Sequence, residues 1–346
     1  MCQDNSAGAA FDPAADIPDL TGRVALITGA NSCGIGFEIT KRLAAAGARV
    51  YLGCRHAGRA RKAMADIRES LKRESMDPRK LGEKRLAPQM EFLHLDLITV
   101  ESVRETVEDF LRKETRLDIL ICNAVTLSKQ YELNEDGVET TMAVNYIGHF
   151  ALTTLLQPLL LHTALLPGAD VRIVMMTSAL HTKVPKDIKL HTQADLNATK
   201  AQFLSCKDSR MACYRRYFVS KLALVLFTRS LQRRLDAHEL PNPIIVTCVH
   251  PGMVSSENMK SQVPAPFRPL LPLFSITPPR GAYTPLFAAT APVVRTRRRE
   301  YAGQYLVPFG KVGKVAKAAD GEDGEALFRI SEEIVRSSTR GCGRES

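Results

Sequence analysis

No uninterrupted apolar run in this 346-residue chain is long enough to cross a bilayer. The longest candidate, Phe150 to Leu166, is broken by Thr153, Thr154, Gln157, Pro158 and His162, which favours a core helix over a transmembrane segment. The residues through Asp16 have neither a basic start nor a sustained apolar core, so they do not read as a secretory signal. They are expected to form a flexible arm over 1–20. None of the eight cysteines forms a Cys-x-x-Cys pair or has a histidine at ligand spacing, so no metal site is expected. Cysteines scattered through apolar runs suit a reducing intracellular compartment, here taken as the cytoplasm. The net charge is +10, with basic stretches from Arg55 to Arg85 and at Arg295-Thr296-Arg297-Arg298-Arg299. Neither stretch carries the interleaved aromatics of a nucleic-acid surface, so nucleic acid is not an expected partner. No internal repeat or low-complexity tract is found.

With 45% hydrophobic and 24% charged residues, the chain can bury one large core. Short aliphatic runs begin near Val24, Arg49, Glu91, Ile119, Arg172 and Ile244, with a seventh candidate at Gln304-Tyr305-Leu306-Val307, and helical stretches alternate with them. This pattern predicts an α/β, doubly wound Rossmann fold, with a six- or seven-stranded parallel sheet and helices on both faces. A single domain is expected over 21–336, including substrate loops at 182–213 and 253–280, followed by a tail at 337–346.

Two local patterns carry chemistry. The strand Val24-Ala25-Leu26-Ile27-Thr28 runs into Gly29-Ala30-Asn31-Ser32-Cys33-Gly34-Ile35-Gly36 and then a helical stretch, the order that a dinucleotide pyrophosphate requires. Far downstream, Tyr217 and Lys221 are spaced to share one helix face, where an ammonium favours the ionised form of a phenol that otherwise titrates near 10. Tyr214 is a weaker candidate acid, because its i+4 neighbour is Phe218.

Together these patterns resemble the short-chain dehydrogenase/reductase family, over roughly residues 20 to 335. Further matches follow in order: Asp96-Leu97, Asn123-Ala124, Val144-Asn145 with Gly148, Ser178, and Pro251-Gly252. Ile17-Pro18-Asp19-Leu20-Thr21-Gly22 and Ser220-Lys221-Leu222-Ala223 look most like the retinol-dehydrogenase-like branch. The resemblance implies a catalytic set of Asn145, Ser178, Tyr217 and Lys221. It implies a cofactor set of Gly29, Asn31, Ser32, Gly34, Ile35, Gly36, Arg55, Asp96, Leu97, Asn123, Ala124, Tyr217, Lys221, Pro251, Gly252, Val254 and Ser256. In that scheme Tyr217 is the proton donor and Ser178 binds the carbonyl oxygen. Lys221 lowers the phenol's pKa and bonds the ribose, while Asn145 holds a water that completes a proton relay. The helices after Asn145 and from Tyr217 are those the family often pairs into homodimers.

The chain departs from the family at three places. Four residues rather than three separate Gly29 from Gly34, as if Cys33 were inserted. Val125 replaces the glycine of Asn-Ala-Gly, and the polar stretch from Thr182 to Cys213 lengthens the path from Ser178 to Tyr217. Arg55 ends the second strand, and no acid lies between Tyr51 and Ala65. An arginine there accommodates a ribose 2′-phosphate, so NADP (NADPH) is expected in preference to NAD. The substrate is expected to be a small carbonyl or alcohol compound, apolar and lipid-, retinoid- or polyketide-like, because Phe267, Leu270, Leu271, Leu273 and Phe274 crowd the proline-rich loop. That loop also admits shallow membrane contact. His181 is read either as a pocket residue or as an ordinary loop histidine. The alternatives to carbonyl reduction are a cofactor-binding redox-sensing regulator, and enoyl reduction or epimerisation on the same scaffold.

Overall fold

The computed structural model describes residues 11–31, 34–75, 87–184, 188–197, 209–255, 275–316 and 323–338. Strands β1 (Val24–Thr28), β2 (Arg49–Cys54), β3 (Gln89–His94), β4 (Ile119–Cys122), β5 (Arg172–Met176), β6 (Ile245–Val249) and β7 (Tyr305–Val307) lie parallel in the order β3-β2-β1-β4-β5-β6-β7. Every residue of β1, β4, β5 and β6 is buried, as a parallel sheet covered on both faces requires. An eighth strand, β8 (Lys311–Val312), pairs antiparallel with β7 and extends the expected six or seven. Two residues carry no readable period, which is why only the turn geometry reveals it.

Side-chain alternation along β1 splits the core in two. Leu26 belongs to a cluster with Phe110, Tyr146, Phe150 and Phe227 on one face, whereas Ala25 and Ile27 join Ile39, Leu43, Ile67 and Leu286 on the other. Helices α1 (Ile35–Ala45) and α2 (Ala57–Ser75) supply the second cluster, and α3 (Val100–Lys113) the first. Thr99 caps α3 by accepting the Ser102 N–H at 3.3 Å.

Past β4 the chain forms a short turn, α4 (Thr140–Met142), then a π-helical stretch over Ala143–Ile147, then α5 (Gly148–Leu155) and α6 (Gln157–Leu165). The long apolar run is thus broken at Leu156, and among the described residues no helix is long and apolar enough to cross a membrane. A short α7 (Gln193–Leu196) precedes the 27-residue α8 (Arg210–Asp236), which Ser209 caps. The helix Asp323–Ser337 packs on α8 and is not among the expected elements. Its Phe328 ring lies 5.0 Å from that of Phe150, and Ser331 shares a 2.9 Å hydrogen bond with the Tyr146 hydroxyl. Of the N-terminal arm, Phe11 rests edge-on against Phe287 at 5.5 Å, and Leu20 is buried.

β1 lies between β2 and β4, so the chain changes direction of progression at β1 and opens a crevice beyond its carboxyl end. Gly148 lets α5 lie close on Leu97: a Cβ there would stand 2.5 Å from the Leu97 carbonyl oxygen and 2.8 Å from the Leu97 Cβ. The obstacle is backbone, which cannot turn aside. Gly148→Ala is therefore expected to cost about 1–3 kcal/mol of unfolding free energy; an unchanged denaturation midpoint would contradict this packing.

Candidate active site at the carboxyl edge of the sheet

The turn after β1 is held against the end of β4 by backbone contact. Gly29 has φ +68°, and a Cβ on it would lie 2.8 Å from the Ala124 Cα; a Cβ on Gly36 would lie 2.7 Å from the Asn123 Nδ2. The Asn123 side chain donates to the Thr28 carbonyl at 2.8 Å, and the Thr28 hydroxyl accepts the N–H groups of Asn123 and Ala124, each at 2.8 Å. Gly34 stands at the N-terminus of α1 with no side-chain cap, so the first-turn amides remain available to an anion. These features form a concave cradle that side chains would fill, and it fits a dinucleotide pyrophosphate. Asn31 is half-buried in this turn. Ser32 and Cys33, and with them the effect of the extra residue, lie outside the described residues.

Other expected cofactor contacts line the same edge. The Gly29 N–H donates to the Gly53 carbonyl at 2.7 Å, which sets the end of β2 and the exposed Arg55 beside the turn. The Asp96 carboxylate accepts the Ile98 N–H at 3.1 Å, and Leu97 is buried under Gly148. Pro251-Gly252 follows β6, and Gly252 has φ +95°. Val254 pairs with Ile276, and both Val254 and Ile35 close on Gly281, which draws this segment toward the start of α1. Ser256 lies outside the described residues, as do Phe267, Leu270, Leu271, Leu273 and Phe274.

The four candidate catalytic residues converge. Ser178 lies close enough to Tyr217 to pull on its phenol, and the Lys221 ammonium stands 5.5 Å from the centre of the Tyr217 ring. Lys221 donates to the Met176 carbonyl at 2.8 Å, and the Thr177 hydroxyl donates to the Lys221 carbonyl at 2.8 Å, so α8 is pinned to the end of β5. The Asn145 Oδ1 accepts the Thr126 N–H at 2.8 Å, while its Nδ2 donates to the Thr126 carbonyl and the Ser220 hydroxyl, each at 3.0 Å. That clamp leaves Val125 43% exposed between two tethered neighbours, so the β-branched side chain displaces no backbone. The Tyr214 ring stacks with that of Phe218, their centroids 6.2 Å apart.

Burial governs the charges here. It pushes the Tyr217 phenol up to about 12, against the pull of the neighbouring Ser178 hydroxyl, and draws the Lys221 ammonium down to about 7. The phenol shift is opposite in sign to the one expected from a neighbouring ammonium. The reason is that both groups lose water together, and each charged form is disfavoured.

Sequence reasoning leaves His181 open, and the structure removes it from the solvent. The ring is fully buried, its Nδ1 donates to the Ser178 carbonyl at 2.6 Å, and its Nε2 accepts the Ala316 N–H at 3.3 Å. It neither lines the surface of a pocket nor sits on a loop exterior. Arg216, next to Tyr217, is a residue that sequence reasoning misses; it is buried 3.0 Å from Glu139 at the start of the helix carrying Asn145. A charged residue adjacent to the tyrosine is the only available signal.

The match to a short chain dehydrogenase family model spans residues 23–186. A short chain dehydrogenase/reductase of Colletotrichum higginsianum is 38% identical over 296 residues, covering 86% of this chain and 70% of its own length. Human retinol dehydrogenase 14 is 35% identical over 287 residues, covering 82% and 78%. A crystal structure of an uncharacterized protein from Mycobacterium Paratuberculosis superposes with a TM-score of 0.66 at 28% identity, covering 95% of this chain and 98% of that one. The NADPH-bound carbonyl reductase of chicken fatty liver shares the fold at 18% identity and a TM-score of 0.53, covering 85% and 98%.

The Lys221 shift has a sign that stability measurements read. Unfolded lysine titrates near 10.5 and the folded group near 7, so the unfolded chain binds more protons between those values and this group makes stability rise with pH across that window. The contribution approaches about 1.4 kcal/mol per pH unit. Tyr217, raised in the folded chain, acts only above its ordinary value of 10. The stability of the wild type relative to Lys221→Met should therefore increase from pH 7 to pH 9.5; a difference independent of pH would contradict the buried amine.

Proposed function

The chain belongs to the short-chain dehydrogenase/reductase family, in its retinol-dehydrogenase-like branch, and on that premise we propose that it is an NADPH-dependent reductase of small, apolar carbonyl compounds. The observation that carries this reading is the Lys221 ammonium 5.5 Å from the Tyr217 phenol ring, with Ser178 beside the same phenol. The pair sits beside a glycine cradle that a dinucleotide fits. Reduced nicotinamide, when bound, supplies the hydride that reaches the carbonyl carbon.

The protein's own groups handle the proton and the charge. Tyr217 donates its hydroxyl proton to the carbonyl oxygen. Ser178 hydrogen-bonds the same oxygen and stabilises the charge that develops there, a preorganised donor worth about 10²–10³ in rate. Lys221 would hold the cofactor ribose and returns a proton to the phenol. With its amide spent on Thr126 and Ser220, Asn145 contributes to the relay through its main-chain carbonyl. Gly29, Asn31 and Gly34 to Gly36 would cradle the pyrophosphate, Asp96 and Leu97 would line the adenine side, and Asn123, Ala124, Pro251, Gly252 and Val254 would frame the nicotinamide half.

Arg55 is exposed beside the glycine turn, and a guanidinium there pairs with a 2′-phosphate that an acid would repel. Exposed Val125 and Met253, which follow β4 and β6 at the same edge, support an apolar substrate. A redox-sensing regulator would have no use for an intact Ser178–Tyr217–Lys221 set.

Screening apolar ketones and aldehydes with NADPH, and following the reduced cofactor's absorbance, tests the reading. Tyr217→Phe should lower kcat by about 10²–10⁴ and leave NADPH affinity in place; near-wild-type turnover would remove Tyr217 from its role. Wild-type enzyme should favour NADPH over NADH, and Arg55→Asp should erase that preference by about tenfold or more. A wild-type preference for NADH would overturn the assignment of Arg55.

A further inference from the structure

His149 lies four residues after Asn145, one helical turn along the same face, and is fully buried, as are Thr28 and Asn145. Its Nε2 is 2.8 Å from the Thr28 hydroxyl and its Nδ1 is 3.0 Å from the Asn145 carbonyl oxygen. The proton positions follow from counting. The Thr28 hydroxyl already accepts two N–H groups, from Asn123 and Ala124, which occupies both of its lone pairs. Its single proton must point at the His149 Nε2, which is therefore unprotonated. The ring proton then resides on Nδ1 and donates to the Asn145 carbonyl. Each hydrogen bond from Asn123 and Ala124 through Thr28 and His149 to Asn145 thus has one direction.

Thr28 ends β1 at the glycine turn, Asn123 and Ala124 end β4, and Asn145 sits in the π-helical stretch. We propose that His149 is a positioning residue, which ties the Asn145 carbonyl through Thr28 to the Asn123–Ala124 backbone and so holds the proton relay and the cofactor seat in one register. This rests on the reading of the site as a nicotinamide dinucleotide site. A packing role alone would require only a flat ring of similar volume, whereas this position uses both ring nitrogens with opposite hydrogen-bond sense. Neutral His149 also leaves Lys221 as the cation of the relay: burial lowers the histidine to about 4, and the charge of Lys221 acts in the same direction.

The test combines ring nitrogen NMR with NADPH binding on the full chain. The His149 resonances, identified by their loss in His149→Asn, should report a neutral ring protonated on Nδ1 at neutral pH. A ring protonated on Nε2, or an imidazolium, would overturn the network. His149→Phe should bind NADPH about tenfold more weakly or worse, and His149→Asn, which retains a donor to the Asn145 carbonyl, should recover most of that loss. NADPH affinity unmoved in His149→Phe, with only the Tm lowered, would reduce His149 to packing and overturn the proposal. Should His149→Phe fail to fold, His149→Leu and His149→Asn make the same comparison: the asparagine should bind NADPH nearly as the wild type does, and the leucine should not. A wild-type chain that did not bind NADPH would overturn the functional reading and the cofactor half of this proposal together, whereas wild-type binding with an unaffected His149→Phe overturns the proposal alone.

Discussion

A buried ammonium beside a half-buried phenol is the constraint on which the rest of the structure depends. Neither group is stable as an ion away from water, and the fold surrounds them with partners that are all backbone or neutral. Lys221 donates to the Met176 carbonyl, Tyr217 meets Ser178, and Thr177 pins α8 at Lys221. Holding such a pair dry is destabilising on its own. The stabilisation comes from the sheet beneath it, where β1, β4, β5 and β6 are buried along their full lengths, and from the two apolar clusters on its faces.

The same edge of the sheet brings distant segments into contact by removing side chains. Gly29 and Gly36 let the turn after β1 lie on Asn123 and Ala124, and Gly148 lets α5 lie on Leu97. Polar side chains then fix these approaches: Asn123 to the Thr28 carbonyl, Asn145 to Thr126, and the Thr28 hydroxyl to two amides. The glycine turn, the end of β4 and the stretch carrying Asn145 are thus held together by hydrogen bonds at one edge of the sheet.

Much of this is legible in the order of the residues alone. Strands buried on both faces announce themselves as continuous aliphatic runs, which is why β1, β2, β4, β5 and β6 stand within one residue of where those runs place them. The Tyr217–Lys221 spacing and the glycine turn carry their chemistry in plain succession, and Asn145, Ser178, Tyr217 and Lys221 do converge. Other features depend on contacts between segments remote in sequence. Nothing local to His181 indicates that it is enclosed by Ser178 and Ala316, and the sign of the Tyr217 shift follows from how much water the fold excludes. The pairing of β8 and the docking of the Asp323–Ser337 helix on α8 are likewise tertiary events, although the helix's Leu327, Phe328, Ser331 and Ile334 mark its buried face.

The central relation is electrostatic, between one amine and one phenol, and it can be watched at the phenol itself. Carbon NMR of labelled tyrosine would follow Tyr217 through a pH titration, first in the free chain and then loaded with NADP. The free phenol should titrate well above its ordinary value of 10, near the 12 that burial imposes. Loading should bring it down, because the anionic cofactor holds Lys221 in its charged form beside it. A phenol that titrates normally in the free chain, or that does not respond to loading, would contradict a proton-transfer pair at Tyr217 and Lys221.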